Sequence, residues 1–332
     1  MRNADTIIVC FIFWPLISCQ SPEKKPSMES KPQFKEGYIE SDAVKIHYLD
    51  WGGKGQPLIL IHGLGDTPFI FQDLASLLKS NFRIIAYSRR GHYKSKSYNS
   101  RYDNEELVYD LKLLTDSLKI EKVNLLGWSM GGNEITEFAI RYPARTNRLI
   151  YLEAGYDLSD KEFGILIKSL PLSFLPTPID LQSLDSYRKW FHHFWFNDIE
   201  WNETLESNLQ ASLLVNKDST LTTIPNDSIS KLILEYAMNY HREYARIAAP
   251  ALFIFTKPFF YPPGQDPAVV KLYEAIEKDL VSNWRINCMN RIRSEFKNAD
   301  IIEVPKGSHT SLVFLSRDTL VTSISLFILD EN

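Results

Sequence analysis

Short apolar runs alternate with helical patterns along most of the chain, and this alternation constrains the fold more than any other feature. The runs lie at residues 57–61, 82–87, 123–127, 148–152, 251–255 and 301–304. A continuous apolar run of this length is typical of a parallel strand that is covered on both faces. Because helical patterns separate most of these runs, the sequence predicts an α/β fold with a mostly parallel, doubly wound sheet.

Two further patterns extend this prediction. Residues 34–53 alternate polar and apolar side chains around Ser41 and Asp42, which predicts an antiparallel hairpin at the start of the sheet. The clearest helix is predicted behind Asp103, and its leucines share one face at positions 107, 111, 114 and 118. That face is expected to pack on the sheet.

The alternation stops between residues 157 and 246, where helical stretches replace the apolar runs. A chain of 332 residues has room for one large domain with an insertion. We therefore predict a core formed by residues 34–156 and 247–332, with a helical cap, residues 157–246, inserted after the sixth strand. The cap carries an aromatic stripe at helical spacing, which favours internal packing over a ligand surface; its members are Trp190, Phe191, Phe194 and Trp195.

Composition excludes some classes of partner. The chain has 37 Lys and Arg against 41 Asp and Glu, a formal net charge of -4, so it has no basic field to hold nucleic acid. The cysteines, Cys10, Cys19 and Cys288, lack metal-ligand spacing and are too few for a disulfide framework. With no His or Cys cluster and no phosphate-binding loop, we expect neither a metal nor an organic cofactor.

The amino-terminal sequence predicts where the protein is located in the cell. Residues 6–18 are apolar but shorter than the roughly 20 residues that span a bilayer, which suits a signal-peptide core. The segment ends in Leu16-Ile17-Ser18-Cys19 and resembles the lipobox of bacterial lipoproteins, in which the cysteine thiol accepts the lipid. Polar residues 19–33 would form a tether. We expect a signal peptide over residues 1–18, a lipid on Cys19 and a place in the cell envelope on the periplasmic or outer face of a membrane. An ordinary secretion signal and an uncleaved short anchor are the alternatives.

The strongest chemical signal is the segment Gly127-Trp128-Ser129-Met130-Gly131-Gly132, between a buried strand and a helical pattern. A nucleophile on a sharp strand-to-helix turn needs neighbours without side chains, so that the turn can close. The placement of this segment predicts that Ser129 is a nucleophile.

Two other segments follow predicted strands and complete a catalytic set. His62-Gly63-Leu64-Gly65 ends an early strand, and the amide N–H groups of Leu64 and Met130 are predicted to form an oxyanion hole. His309 follows the last strand, where a general base could reach Ser129.

These segments together resemble the α/β-hydrolase fold superfamily, in the branch of serine hydrolases with a helical cap. The likeness covers the chain from about residue 36 and includes further short motifs, Arg90-Gly91-His92 with Ser95, Tyr142-Pro143 and Gly307. The resemblance implies Ser129 as the nucleophile, His309 as the general base and acid, and Leu64 and Met130 as the oxyanion donors.

The third member of a triad departs from the family pattern. The family usually places an acid just beyond the strand that here is residues 251–255, and that stretch has no carboxylate. Three candidates remain open: Glu153 at the end of the preceding core strand, Asp266 on a lengthened loop, and Asp157. Each could hold the histidine tautomer and stabilise an imidazolium.

The leading hypothesis is a carboxylic ester hydrolase that forms an acyl-enzyme on a small-molecule ester, and the aromatic cap leads us to expect apolar groups on that ester. A non-catalytic, receptor-like member of the fold is an alternative, motivated by the missing acid. An acyltransferase, a carbon–carbon hydrolase or a peptidase could use the same Ser-His pair.

Overall fold

A computed structural model of the chain describes residues 33–169, 175–264 and 266–330. The predicted signal peptide, the lipidation site Cys19 and nearly all of the tether lie outside the described residues. Within the described ranges, no helix combines the length and the apolar character needed to cross a bilayer.

The main sheet confirms the predicted fold class. Its strands are β1 (Lys35–Glu40), β2 (Val44–Gly52), β3 (Pro57–Ile61), β4 (Arg83–Tyr87), β5 (Lys96–Ser97), β6 (Val123–Trp128), β7 (Thr146–Leu152), β10 (Ala251–Thr256) and β11 (Ala299–Val304). They are ordered β1-β2-β4-β3-β6-β7-β10-β11, with the short β5 beside β2. The pairs from β4 to β11 are parallel, and the predicted hairpin forms the antiparallel β1–β2 edge.

Helices cover both faces of this sheet. They are α1 (Gln72–Leu78), α2 (Asn104–Ser117), α3 (Gly131–Arg141), α8 (Pro267–Ile276), α9 (Ser282–Glu295), α10 (Leu312–Leu315) and α11 (Arg317–Leu329), with a π-helical turn at Glu277–Val281. On one face of the sheet, leucines of α2 and apolar residues of α3 pack with Ile59 and Ile61. On the other face, α1 and α11 pack with Leu58 and Leu60. Alternate residues of β3 therefore face opposite layers, which is why its sequence is continuously apolar.

The predicted leucine helix is α2. The side chain of Asp103 accepts a hydrogen bond from the amide of Glu106 at 3.2 Å, and this cap fixes where the helix begins. Leu107, Leu111 and Leu114 are buried against the sheet. Cys288, the cysteine within the described ranges, is likewise buried in α9.

The segment predicted as the cap lies between β7 and β10. It contains α4 (Lys161–Ser169), α5 (Leu184–Trp195), α6 (Glu203–Ala211) and α7 (Asp227–Met238). It also contains a hairpin of two three-residue strands, β8 (Leu213–Val215) and β9 (Leu221–Thr223), which the sequence did not predict because such short strands carry too little alternation. The exact domain boundaries stay a prediction.

Half of the aromatic stripe of α5 is buried inside the protein, and the other half is partly buried. Trp190 and Phe191 are buried, and they cluster with apolar residues that include Phe196 and Leu209. The stripe therefore contributes to internal packing, as its helical spacing predicts.

Candidate active site

Ser129 stands on a sharp turn between β6 and α3. Its backbone has a φ of +54°, and its amide donates a hydrogen bond to the carbonyl oxygen of Leu152 at 3.2 Å. The turn can close only because two neighbours lack side chains. A Cβ on Gly127 would lie 2.5 Å from the carbonyl oxygen of Gly131, and one on Gly131 would lie 2.6 Å from that of Ile61. The glycines thus force Ser129 into the raised, left-handed position that a nucleophile elbow requires.

His309 reaches Ser129 from the loop between β11 and α10. Its Nε2 lies 2.9 Å from Ser129 Oγ. Three contacts hold the residue in place: its amide donates to the carbonyl oxygen of Phe259 at 2.9 Å, its carbonyl accepts from Trp128 Nε1 at 2.9 Å, and the Phe259 ring stacks on the imidazole with centroids 4.4 Å apart. The imidazole orientation is therefore fixed from both the backbone and the ring face.

Glu153 is the carboxylate that the structure brings to His309. Its Oε2 lies 3.3 Å from His309 Nδ1, and its side chain is fully buried. Its Oε1 accepts hydrogen bonds from the amide and the hydroxyl of Thr256. Glu153 directly follows β7 and has a φ of +46°, so it and Ser129 both leave adjacent parallel strands in a left-handed conformation.

The loop after β10, where the family usually places the triad acid, carries residues that support Glu153 and His309. Thr256 occupies the end of this strand and donates to Glu153, while Phe259 stacks on His309. The Phe259 amide in turn donates to Glu277 Oε2 at 3.0 Å. This loop therefore supports the histidine and the glutamate without supplying a carboxylate to the histidine itself.

The other two candidate acids, Asp266 and Asp157, have other partners in the structure. Asp266 is exposed and caps α8, where it accepts from the amide of Ala268 at 2.8 Å. Asp157 is buried in an ion pair with Arg291 and accepts from the amide of Ser159 at 3.0 Å. Burial opposes the ionisation of Asp157, but the charges of Arg242 and Arg291 and the Ser159 hydrogen bonds outweigh it and lower its pKa. Both residues have local structural partners that account for their type.

The predicted oxyanion loop passes directly beside Ser129. A Cβ on Gly63 would lie 3.2 Å from Ser129 Cβ, a tight contact that glycine avoids. No described residue accepts a hydrogen bond from the amide N–H of Leu64 or of Met130. Met130 also precedes the first turn of α3, whose dipole favours negative charge at this end. Both amides are thus available to an external acceptor.

His62 holds this loop in shape. Its Nε2 accepts a hydrogen bond from the amide of Arg89 at 3.1 Å, so its Nδ1 carries the proton and donates to the carbonyl oxygen of Gly63 at 2.8 Å. Burial, together with the charges of His92 and Arg89, holds the pKa of His62 well below its usual range. The imidazole is therefore neutral and acts as a fixed bridge between two loops.

The cap contacts the site at two places. Thr310 and Ser311, which follow His309, donate hydrogen bonds to the Trp195 carbonyl and to Asp198. A narrow crevice lies beside Met130 and is lined on the other side by Ile233, Tyr236 and Ala237 of α7. The predicted cap therefore borders the elbow and also fastens the histidine loop.

Sequence reasoning missed three residues of this site. Thr256 and Phe259 support Glu153 and His309, but neither residue type carries a recognisable signal in a loop. Asp66 lies on the oxyanion loop, where burial raises its pKa to about 6 against the lowering effects of an Asn208 hydrogen bond and of His309. In the sequence, only its position three residues after Gly63 could have indicated that Asp66 belongs to the site.

A serine hydroxyl, an imidazole and a carboxylate thus form one hydrogen-bonded line at the carboxyl edge of a parallel sheet. This arrangement defines the class of α/β proteins that carry a serine on a nucleophile elbow. The chain belongs to the alpha/beta hydrolase fold family, which it matches over residues 56–248.

Similar proteins have diverse activities. The chain is 32% identical over 145 residues to a cis-3-alkyl-4-alkyloxetan-2-one decarboxylase of Shewanella oneidensis, covering 42% of this chain and 43% of that protein. It is 31% identical over 112 residues to a bifunctional esterase/perhydrolase of Acinetobacter calcoaceticus, covering 32% and 40%. The chain thus spans about two fifths of the length of these relatives. The crystal structure of E-2-(acetamidomethylene)succinate hydrolase superimposes with a TM-score of 0.67 at 16% identity, over 89% of this chain and 99% of that one, and so shares the fold.

Proposed function

We propose that the protein is a serine hydrolase that cleaves carboxylic esters through an acyl-enzyme. One observation carries the proposal: Ser129 Oγ lies 2.9 Å from His309 Nε2, while His309 Nδ1 lies 3.3 Å from the buried Glu153 carboxylate. With its Nδ1 proton directed at Glu153, the imidazole has Nε2 free to accept the serine proton. This is the arrangement that nucleophilic catalysis by serine needs.

The reaction follows from these positions. Ser129 Oγ attacks the ester carbonyl carbon as His309 takes its proton, and the carbonyl oxygen becomes an oxyanion that accepts from the Leu64 and Met130 amides. The imidazolium, stabilised by Glu153, then protonates the leaving alcohol as the carbon–oxygen bond breaks. Water repeats the sequence on the acyl-enzyme, with His309 taking one of its protons, and releases the carboxylic acid and free Ser129.

Two considerations favour ester hydrolysis over the alternatives. One relative of this chain is an esterase/perhydrolase, which supports an ester as the substrate class. The receptor-like alternative was motivated by a missing acid, and the position of Glu153 beside His309 removes that motive. The acyltransferase, carbon–carbon hydrolase and peptidase alternatives have no specific contact in their favour.

The substrate is proposed to be a small to medium ester with apolar groups, since apolar side chains of the predicted cap, Ile233 and Ala237, lie beside Met130. A panel of p-nitrophenyl esters from acetate to laurate tests this proposal with the purified protein. We expect hydrolysis that is fastest for short or medium chains and that is lost in Ser129→Ala. Equal rates for the wild type and Ser129→Ala would refute the proposed chemistry.

We also propose that a lipid on Cys19 holds the protein on a bacterial membrane in the cell envelope. Support comes from the order of an apolar core, a small residue before cysteine, and a polar tether in the sequence. The substrate would then meet the enzyme outside the cytoplasm.

A further inference from the structure

Asp66 is an acidic side chain that lies beside the nucleophile and has no part in the proposed reaction. A Cβ on Gly63 would lie 3.5 Å from Asp66 Oδ2 and 3.6 Å from Ser129 Oγ, so both oxygens border the same small volume. The positive charge of His309 would also act on this carboxylate, which places the two groups close together. Asp66 therefore faces the space where a substrate must bind.

The carboxylate of Asp66 is not paired with a cation. Its Oδ1 accepts a hydrogen bond from Asn208 Nδ2 at 3.0 Å, but no described residue donates to Oδ2. No Lys or Arg within the described ranges forms an ion pair with it. Carboxylates shielded from water are normally paired with a cation, so an unpaired one beside the nucleophile indicates a binding role.

The surroundings explain why this charge is uncompensated. The elements packed around Asp66 present Asn208 from α6, Tyr187 from α5 and His309 from the loop after β11. Burial raises the pKa of Tyr187 to a value above its usual range, and the charge of Asp66 raises it further. None of these groups is a lysine or an arginine.

A purely structural role accounts poorly for an acid at this position. Asn208 already fastens α6 to the oxyanion loop, because its Oδ1 accepts from the amide of Thr67 at 2.9 Å and from the Thr67 hydroxyl at 2.8 Å. The remaining bond, from Asn208 Nδ2 to Asp66 Oδ1, needs only a carbonyl oxygen, which asparagine would provide equally well. No lysine or arginine within the described part of the protein forms an ion pair with this negative charge.

We propose that Asp66 is a specificity-determining residue that binds a protonated amine on the substrate through its free Oδ2. The preferred substrates are then esters that carry an ammonium group a few bonds from the scissile carbonyl. This inference rests on the proposed ester hydrolysis. Oδ2 would accept a charge-assisted hydrogen bond from the ammonium group, which is stronger than a hydrogen bond between neutral groups.

The same charge has an opposite effect on neutral esters. An ionised carboxylate beside the oxyanion hole repels the negative charge that forms in the transition state. A bound ammonium group offsets this repulsion, whereas a neutral substrate leaves it in place. Replacing Asp66 with asparagine should therefore lower the ratio of the rate for ammonium esters to the rate for neutral esters.

The test compares pairs of esters with the same shape. Dimethylaminoethyl butyrate is matched with isopentyl butyrate, in which CH replaces the nitrogen, to probe the alcohol side of the site. Ethyl gamma-dimethylaminobutyrate and its hydrocarbon isostere probe the acyl side. Chromatography of the released acid gives kcat/KM for each ester with the wild type, Asp66→Asn and Asp73→Asn. Asp73 is a matched control because it also accepts a hydrogen bond from a residue of α6, the Thr204 hydroxyl, at 2.9 Å. Unlike Asp66, it forms an ion pair, with Arg317.

We expect the wild type to prefer the ammonium ester of at least one pair by about tenfold or more. Asp66→Asn should abolish this preference, whereas Asp73→Asn should keep it. The preference should also fall as the pH drops through about 6, where Asp66 becomes protonated. His309 affects both esters of a pair alike, so the ratio isolates Asp66.

Two results would overturn the inference. One is a wild type without preference in either pair, and the other is an Asp66→Asn variant that changes both members of a pair by the same factor. If neutral esters are hydrolysed but the preference is absent, only the role of Asp66 fails. If the folded wild type hydrolyses none of the esters, the proposed function fails with it.

Discussion

His309 Nδ1 lies 3.3 Å from Oε2 of Glu153, the residue that directly follows β7. The carboxylate thus reaches the imidazole from the strand next to the one that carries Ser129. Thr256, at the end of β10, holds the opposite carboxylate oxygen. Glu153 and the threonine that holds it therefore lie at the ends of two neighbouring strands, β7 and β10.

The first prediction concerns this carboxylate. Glu153→Gln should lower kcat by about a hundred- to ten-thousandfold, because a neutral amide no longer fixes the tautomer or stabilises the imidazolium. Steady-state hydrolysis of p-nitrophenyl butyrate measures the effect. Asp266→Asn and Asp157→Asn are the matched controls, and both should keep near-wild-type kcat, although the second should lower the melting temperature by losing charge against Arg291. Loss of turnover in either control with Glu153→Gln unaffected would show that the acid is wrongly assigned.

The second prediction concerns pH and stability. Burial raises the folded-state pKa of Asp66 to about 6, above the value of about 3.9 in an unfolded chain. Between these values the folded state binds more protons, so the charge of Asp66 costs the wild type stability as pH rises from about 4 to 6.

Asp66→Asn removes this cost. Urea unfolding should find the variant more stable than the wild type at pH 7, with a difference that shrinks to nothing below about pH 4. A stability difference that does not vary across this range would contradict the elevated pKa.

The third prediction concerns the elbow glycines. Gly127→Ala should lower the free energy of unfolding by about 2 kcal/mol or more, because the new Cβ would lie 2.5 Å from the Gly131 carbonyl oxygen. Gly164→Ala is the control. It lies within α4, where the nearest atom to a new Cβ is 3.9 Å away, so it should raise stability by about 0.5 to 1 kcal/mol. Thermal and urea denaturation of both variants measure the two effects, and a stable Gly127→Ala protein would contradict the tight turn.

The fourth prediction concerns the proposed lipid anchor on Cys19. In a bacterial host with lipoprotein processing, the wild type should partition into detergent and incorporate radiolabelled palmitate, whereas Cys19→Ser should do neither. The Cys288→Ser variant is the control because Cys288 is buried in α9 and offers no accessible thiol. An unlabelled wild type that is cleaved and released would favour an ordinary secretion signal.

The sequence predicted the framework of the sheet well, for physical reasons. Strands such as β3 and β6 are buried on both faces and so must be continuously apolar, and the glycines around Ser129 are required by contacts with backbone atoms. Motifs whose residue types are dictated by backbone geometry are readable without a structure.

Residues that depend on long-range contacts were not readable in the same way. The choice among Glu153, Asp266 and Asp157 stayed open because a carboxylate looks alike in all three loops, and only the folded chain brings Glu153 to His309. Asp66 and Asn208 are 142 positions apart in the chain, so their contact leaves no local pattern. The hairpin β8–β9 was missed because its strands are only three residues long.

The most direct test of the central claim is covalent labelling of Ser129 by a fluorophosphonate, followed by peptide mass spectrometry of the folded protein. We expect one adduct, on the peptide that contains Ser129, with no adduct in Ser129→Ala. Labelling of His309→Ala should be much slower, because the proposed general base that activates the hydroxyl is lost. Circular dichroism of each variant confirms that the fold is retained. A folded wild type that forms no adduct at Ser129 would contradict the claim that this serine is an activated nucleophile.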